Sequence, residues 1–284
     1  MKLYTKKLKK YLWSCLIICV EMSCNLEKKV NIVLPSYQEQ LVVECYLIPG
    51  EPYQLFLSRS VAYFSDFSLP DVPNATVVIT HNGKRDTLRY EPFFFLPARK
   101  IYNYRSTTKV VVDYENPFYL YIHDRESGKE LFAEDIFLRP ISIDSVGAIL
   151  NGKPDSLSSI IAFFNDPQES TNYYRFVVSH GNIFNPENQR ADILLDDRLF
   201  TGRATLGTSY RFALSDTAIV TLYHLSQPLF QYFRTVRDAA DFVTNPLRQP
   251  VGIASNIKGG VGIFATLSYD RDTLILRKFY QNVP

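Results

Sequence analysis

Histidine, the residue that most often serves in metal sites and acid–base catalysis, is rare and scattered in this sequence. His81, His123, His180 and His224 have no close His or Cys neighbours, so no metal-ligand spacing occurs. No Gly-x-Ser-x-Gly segment is present to carry a nucleophilic serine. We therefore interpret the histidines as strand or loop residues, and we predict no catalytic residue, no metal and no cofactor.

Three carboxylates, those of Asp192, Asp196 and Asp197, fall within six residues. Hard oxygen ligands of this kind suit Ca²⁺, but the segment lacks the spacing and the glycine of an EF-hand loop. A solvated loop is the simpler interpretation, and the sequence leaves calcium binding open. Nearby, Asp166-Pro167 is interpreted as a turn whose carboxylate caps backbone amides.

A second candidate for binding is the segment Tyr63-Phe64-Ser65-Asp66-Phe67, which places three aromatic side chains between predicted strands. These rings could stack on a sugar or contact a partner, and packing beneath the loop is the alternative. We take Tyr63, Phe64 and Phe67, together with Asp196 and Asp197, as candidate ligand or partner contacts.

The glycines of Gly259-Gly260-Val261-Gly262 resemble a phosphate-binding loop only superficially. They lead into an apolar strand pattern rather than a helix, and no Lys-Ser/Thr pair follows them. A tight turn is predicted here.

The first predicted domain that would position these residues is a β-sandwich over residues 37–139. Many Phe, Tyr, Val, Ile and Thr residues favour strands. Asn82-Gly83 is predicted to form a type I′ hairpin turn, and Pro49-Gly50 and Glu126-Ser127-Gly128 two further turns. The predicted strands are residues 40–48, 53–59, 76–81, 84–90, 119–123 and 131–138. This pattern is typical of a small antiparallel sandwich of immunoglobulin-like or transthyretin-like build.

A second sandwich with one helix is predicted for residues 140–284, because Arg139-Pro140 ends a strand and the pattern then restarts. Its predicted strands are residues 159–164, 173–179, 192–200, 209–214, 218–224, 261–269 and 273–276. Apolar residues at three- and four-residue spacing predict an amphipathic helix at about 228–243, lying against the second sheet. The fold class is therefore all-β, with two antiparallel β-sandwich domains.

The first 24 residues have the pattern of a lipoprotein signal peptide. Five lysines precede an apolar run at residues 11–20, and this run is about half of the roughly 20 residues that span a bilayer. Ser23-Cys24 supplies the small residue and the cysteine that lipoprotein signal peptidase requires. We predict removal of residues 1–23, attachment to membrane lipid through Cys24, and a polar tether over residues 24–36. A plain secretory signal or a buried apolar helix is the alternative.

Removal of the signal peptide changes the charge of the chain. The remaining residues would carry 26 basic and 28 acidic groups, a net charge of −2. A near-neutral body without a basic block argues against nucleic-acid binding. Apart from the lipidated cysteine, Cys45 would then be the one cysteine left in the sequence. The position of Cys45 in an apolar run predicts a small buried side chain rather than a disulfide.

Several short motifs occur in order along the chain. They are Leu41-Val42-Val43-Glu44, Pro73-Asn74-Ala75-Thr76-Val77, Phe164-Asn165-Asp166-Pro167, Asn172-Tyr173-Tyr174-Arg175-Phe176, Asp196-Asp197 with Phe200-Thr201-Gly202, Asn245-Pro246, and the segment from Ser255 to Phe264. Together these motifs resemble domain-of-unknown-function family 4249. The resemblance covers nearly all of the chain after the signal peptide. It implies an outer-membrane or surface lipoprotein of the Bacteroidota and a TonB-dependent transporter as partner, and it implies no settled activity.

The triplet Asp-Ser/Thr-aliphatic occurs five times, more often than composition alone predicts. It resembles the O-glycosylation site of exported Bacteroidota proteins, which makes Thr87, Ser145, Ser156, Thr217 and Thr273 candidates for modification. The alternative is that Asp and Thr favour the polar first position of a strand after a turn.

We therefore expect a noncatalytic lipoprotein, anchored at the cell surface or the periplasmic face of the outer membrane, that acts as a binding or accessory component of a TonB-dependent nutrient uptake system. A structural or adhesive surface protein is the alternative. A polysaccharide-active hydrolase is the third hypothesis, which the lack of a paired acid and nucleophile signature disfavours. The sequence does not identify the ligand.

Overall fold

The computed structural model describes residues 37–62, 70–96, 99–151, 157–183, 185–200, 202–244 and 251–281. Five of the candidate site residues lie outside this part of the chain, namely Cys24, Tyr63, Phe64, Phe67 and Ser156, and so do the predicted signal peptide and tether at residues 1–36. The residues from 39 onward belong to one compact unit.

Four of the first seven strands, Leu41–Leu47, Pro52–Arg59, Phe118–Asp124 and Glu130–Asp135, alternate between buried and more exposed positions, as expected for strands with one face on a core. Leu41, Val43, Cys45 and Leu47 are fully buried, while the residues between them are half-buried. The strands are β1 (Leu41–Leu47), β2 (Pro52–Arg59), β3 (Ala75–His81), β4 (Lys84–Phe95), β5 (Lys100–Lys109), β6 (Phe118–Asp124) and β7 (Glu130–Asp135).

The remaining elements follow Arg139-Pro140. They are β8 (Ile143–Leu150), β9 (Ser158–Asn165), β10 (Tyr173–His180), β11 (Gln189–Asp196), β12 (Arg203–Gly207), β13 (Thr217–Leu225), helix α1 (Gln227–Thr244), β14 (Val261–Thr266), β15 (Ser268–Ile275) and helix α2 (Leu276–Gln281), with 3-10 turns at Pro186–Asn188 and Asp197–Leu199.

The largest sheet has eight strands in the order β14-β1-β2-β5-β4-β3-β6-β7. All its pairs are antiparallel except that of β1 with β14, which is parallel. At its far end, Phe132 of β7 exchanges two backbone hydrogen bonds of 3.0 and 2.8 Å with Lys258, just before β14. The two ends of the sheet therefore meet, and the sheet wraps around one apolar core.

The other strands form a four-stranded sheet, β11-β10-β13-β15, and a three-stranded sheet, β12-β9-β8. Their facing sides share a second core that includes Phe164, Tyr174, Phe176 and Phe212, all fully buried. Two sheets stacked over a shared core are a sandwich arrangement, so the all-β prediction is confirmed.

Helix α1 joins the two groups of sheets. Leu229 and Phe230 pack with Ile263 and Ala265 of β14, and partly buried Tyr46 and Tyr173 from strands β1 and β10 border the same cluster. The helix lies against the second sheet, as predicted, and its apolar face also covers β14 of the eight-stranded sheet.

Several strands differ from the prediction. Residues 261–269 were predicted as one strand of the second sandwich, but β14 pairs with β1 and a new strand begins at Ser268. Residues 209–214 form a turn segment with one bridge at Phe212 instead of a strand. Strands β5, β8 and β12 were not predicted because polar residues interrupt their apolar pattern.

The glycine motif at residues 259–262 permits the close approach of β14 to β1. A side chain at Gly262 would overlap the backbone of Val43, and one at Gly259 would overlap the carbonyl group of Glu130. Gly262 also has a φ of 118°, which favours glycine. The motif thus serves backbone packing rather than phosphate binding.

Candidate functional site

A pocket of about 190 Å³ lies where the eight-stranded sheet, the four-stranded sheet and helix α1 meet. Strands from both sheets, the helix and short connections contribute its lining. The lining residues are Tyr46, Ile48, Glu51, Gln54, Phe95, Lys100, Tyr102, Arg175, Tyr223, Phe233 and Leu267. We call this cavity the junction pocket.

Strand alternation positions the residues on one wall. On β1 the core takes Val43 and Cys45, so Glu44 and Tyr46 point to the opposite side of the sheet. On β2, Leu55 is buried in the core and Gln54 faces the pocket in the same way. The apolar pattern that builds the core therefore also fixes which polar side chains reach the junction pocket.

Each of the two cations in the pocket has both an aromatic ring and a carboxylate as neighbours. Lys100 lies 4.6 Å from the ring centroid of Tyr46 and pairs with Glu44. Arg175 lies 4.7 Å from the ring centroid of Phe233, and these distances fall in the range of cation–π contacts. The rings of Tyr46 and Phe233 are themselves stacked at 6.2 Å.

The guanidinium group of Arg175 is held in place by Asp192. Its Nε and Nη2 atoms both donate to the carboxylate at 2.9 Å, a bidentate geometry. Arg237 of helix α1 donates to the same carboxylate at 2.6 Å. Burial alone would raise the pKa of Asp192, but the hydrogen bonds and charges of these two arginines lower it.

The tyrosines of the pocket remain protonated at neutral pH. Burial raises the pKa of Tyr102 to about 12, with a further contribution from the charge of Glu44. Burial likewise raises the pKa of Tyr46 well above its ordinary value. Both phenols therefore act as neutral hydrogen-bonding groups and not as general bases.

Some polar groups of the pocket are not used by the fold. In the part of the chain that the structure describes, the side chains of Gln54, Glu51 and Tyr102 have no hydrogen-bond partner. These groups lie beside aromatic rings in a concave site, which is the combination expected of a ligand-binding pocket.

A polar groove of about 670 Å³ continues from the junction pocket along strands β2, β4 and β5. Glu51, Gln54 and Phe95 line both cavities. In the groove, Arg105 lies 5.1 Å from the ring centroid of Phe93 and pairs with Glu91. The two cavities together form one extended surface with alternating aromatic and polar side chains.

The three carboxylates considered for calcium do not converge. Asp192 is bound by arginines, Asp196 accepts hydrogen bonds from Arg198, and Asp197 accepts one from the backbone amide of Asn172. Among the described residues, no group of three or more His, Cys, Asp or Glu side chains is placed to hold a metal ion. The candidate contacts Asp196 and Asp197 thus have structural partners, and only Asp192 of this segment borders the junction pocket through Arg175.

Two sequence motifs meet in a polar cluster at the start of β10. The Asn172 side chain donates to the carbonyl groups of Pro167 and Ser170, both at 2.8 Å. The hydroxyl group of Tyr174 donates to Asp166. Asp166 therefore accepts from side chains instead of capping backbone amides, and the cluster fixes the loop between β9 and β10.

All four histidines lie in strands, as predicted. His81 stacks on Phe118 at 3.8 Å between ring centroids. His224 is held between the carbonyl oxygen of Arg139 at 2.8 Å and Oδ1 of Asn172 at 3.2 Å. Burial lowers the pKa of His224, and the hydrogen bond with the carbonyl oxygen of Arg139 partly opposes this shift. Cys45 is fully buried, and burial raises the pKa of its thiol, as expected for an inert core residue.

The candidate modification sites differ in accessibility. Thr87, Ser145 and Thr273 are exposed, and Thr217 is half-buried. Thr87 also lines the polar groove. Exposure is a requirement for modification and not a test of it, so these sites stay predictions.

The residues of the junction pocket were missed by the sequence interpretation, apart from the motifs that contain Arg175 and Glu44. Tyr46, Tyr102 and Phe233 come from distant parts of the chain, and Phe233 reaches Tyr46 from a helix that packs on β14 beside β1. One feature of the sequence could have indicated the pocket: Glu44 lies inside an otherwise apolar strand, and a charged side chain there must face away from the core.

These features define an all-β protein with an aromatic, ion-paired pocket where its sheets and helix meet. The family model described as "Domain of unknown function (DUF4249)" matches residues 27–273, and the protein belongs to this family. A search of curated proteins gave no match. Among the described residues, no helix has the length and apolar character needed to cross a membrane.

Proposed function

We propose that this protein is a noncatalytic, lipid-anchored binding protein of the outer membrane, which captures a ligand at the junction pocket as an accessory component of a TonB-dependent nutrient uptake system. The junction pocket is the observation that carries the binding role. It combines aromatic walls with the side chains of Glu51, Gln54 and Tyr102, which have no hydrogen-bond partner among the residues that the structure describes.

The chemistry of the pocket favours binding over catalysis. Lys100 and Arg175 are each held in an ion pair with a carboxylate, so both side chains serve the structure of the pocket. The raised pKa of Tyr102 keeps its phenol protonated. A catalytic site would instead need an acid and a base with pKa values near the working pH.

The anchoring part of the proposal rests on the signal-peptide pattern before Cys24. Acyl chains contribute about 0.8 kcal/mol per buried methylene group, so several chains attach a protein to a membrane almost permanently. Confinement beside a barrel raises the effective concentration of the protein, and a modest interface is then sufficient for occupancy.

Cys24→Ala tests the anchoring and the partnership together. The wild-type protein carries a C-terminal tag, is extracted in mild detergent, and is analysed by crosslinking and mass spectrometry. We expect it in the detergent phase together with a TonB-dependent barrel. Cys24→Ala should be folded by circular dichroism but should enter the aqueous phase and lose the barrel.

Two results would contradict this proposal. Partition of Cys24→Ala into the detergent phase would exclude lipidation at this cysteine. Recovery of the monomer alone, together with unchanged uptake through the barrel after gene deletion, would exclude the accessory role. In that case binding to matrix proteins would support the adhesive alternative.

A further inference from the structure

The charge of the junction pocket and its groove constrains the ligand. Both cations of the pocket are already neutralised, Lys100 by Glu44 and Arg175 by Asp192. In the groove, Arg105 is paired with Glu91. Among the described residues, Arg89 of the groove is in no ion pair, but Glu51, Asp86 and Glu91 line the same groove. Three acidic side chains therefore accompany two basic ones, and this balance disfavours a phosphate or carboxylate ligand. The site therefore favours a neutral ligand.

The topology of the sheet disfavours an extended peptide. Strands β2, β4 and β5 line the groove, and all three are interior strands of the eight-stranded sheet. Peptides that add to a sheet need an edge strand with unpaired backbone groups. Each of these strands has a neighbouring strand on both sides in the sheet order, so the groove contains no outer strand for a peptide to extend, and recognition falls to side chains.

The size and polarity of the site disfavour a lipid. The junction pocket is small, at about 190 Å³, and the larger groove of about 670 Å³ is lined by charged and hydroxyl-bearing residues. A long acyl chain would leave these groups without hydrogen bonds, at a cost for each buried polar group. The groove alone falls within the roughly 300–1,000 Å³ of typical small-molecule sites.

The aromatic rings and polar side chains of the junction pocket and the groove fit a sugar. A pyranose ring has an apolar C–H face that packs on aromatic rings and a rim of hydroxyl groups that both donate and accept hydrogen bonds. Phe93 and Tyr102 form a stacked pair at 5.5 Å in this surface. Gln54 and Glu51, at the boundary of pocket and groove, offer an amide and a carboxylate to neighbouring hydroxyls.

We infer that the junction pocket and the groove together bind a short neutral oligosaccharide, with one sugar ring against Tyr102 and its hydroxyl groups on Gln54. This inference rests on the proposed binding function and adds the chemical class of the ligand.

The test uses the purified full-length protein without its signal peptide and a panel of probes. The probes are maltotriose, cellotriose, mannotriose and xylotriose, with trialanine and AMP as peptide and anionic comparisons. Saturation-transfer NMR and calorimetry measure binding up to about 10 mM probe, which covers weak single-site affinities. The intact mass is checked first, because a glycan attached at Thr87 would occupy the groove.

We expect at least one trisaccharide to bind and the two comparison probes not to bind. Gln54→Ala and Tyr102→Ala should each weaken that binding by about tenfold or more. Tyr102→Phe should retain more affinity than Tyr102→Ala, since it keeps the ring. The matched control is Tyr119→Ala, a β6 tyrosine that is 48% exposed and lies outside both cavities.

Binding of no saccharide up to that concentration would overturn the inference, as would equal binding to Gln54→Ala and to the wild type. Uptake in cells separates this failure from failure of the proposed function. If Tyr102→Ala reduces uptake although no saccharide binds, the ligand class is wrong and the binding role stands. If saccharides bind but no barrel is recovered, the accessory role is wrong and the ligand class stands.

Discussion

Asp135 is a buried carboxylate at the end of β7, and it connects that strand to the end of β14. It accepts hydrogen bonds from the backbone amide of Thr266 at 2.7 Å and from its hydroxyl group at 3.0 Å. Burial raises the pKa of Asp135 to about 6, although these hydrogen bonds partly oppose the shift. Asp135 is therefore a residue at which stability depends on pH near neutrality.

The sign of this dependence follows from the raised pKa. The stabilising contribution of the protonated carboxyl is fully present below the unfolded pKa of about 4 and is lost as the pH rises through about 6. We expect the free energy of unfolding of Asp135→Asn, relative to the wild type, to increase by about 2–3 kcal/mol between pH 4 and pH 8. Urea denaturation across this range measures it. Asp272→Asn, at an exposed carboxylate, is the control, and an unchanged difference for Asp135→Asn would contradict the prediction.

Among the elements, β14 determines most of what the sequence did not predict. The hairpins were accessible to prediction because their signals are local: Asn82 and Gly83 both have positive φ values, as a type I′ turn requires. The helix was predicted for a similar reason, from its apolar spacing. The pairing of β14 with β1 joins residues more than 200 positions apart, and no local propensity encodes such a contact. The helix wall of the junction pocket, with Phe233, depends on this pairing because helix α1 packs on β14, so that wall could not be predicted either.

Gly262 in β14 tests this pairing directly. A Cβ atom at this position would overlap the backbone of Val43, which cannot move without breaking the parallel register. We expect Gly262→Ala to destabilise the protein by roughly 3 kcal/mol or more, because both steric overlap and a positive φ oppose it. Gly252→Ala is the matched control, since a Cβ atom there would have no other atom within 4 Å. Equal stability of the two variants in thermal denaturation would show that β14 does not pack on β1 as described.

At the scale of the whole molecule, β14 and α1 make one unit out of two sets of sheets. The chain leaves the eight-stranded sheet after β7, builds the two smaller sheets, and then returns through β14 before β15 joins the four-stranded sheet. Helix α1 covers the junction with a cluster that includes fully buried Leu229 and Ile263. Removal of β14 or helix α1 would expose apolar surface on both sets of sheets. The junction pocket lies where the two sets of sheets meet.

This arrangement predicts cooperative unfolding of residues 39–284. Two sandwiches joined only by a linker would melt in two transitions, whereas a shared strand and a shared helix should give a single transition by calorimetry and by near-ultraviolet circular dichroism.

Leu229→Ala removes a fully buried side chain of the shared cluster. We expect it to cost about 2–5 kcal/mol and to lower the midpoint of the single transition by roughly 5–10 °C. Gln227→Ala, at the exposed start of the same helix, should leave the midpoint within about 2 °C of the wild type. Two resolved transitions in the wild type, or a shift confined to one of them in Leu229→Ala, would show that the two sets of sheets unfold independently, and the junction pocket would then have to form by docking of separately stable parts.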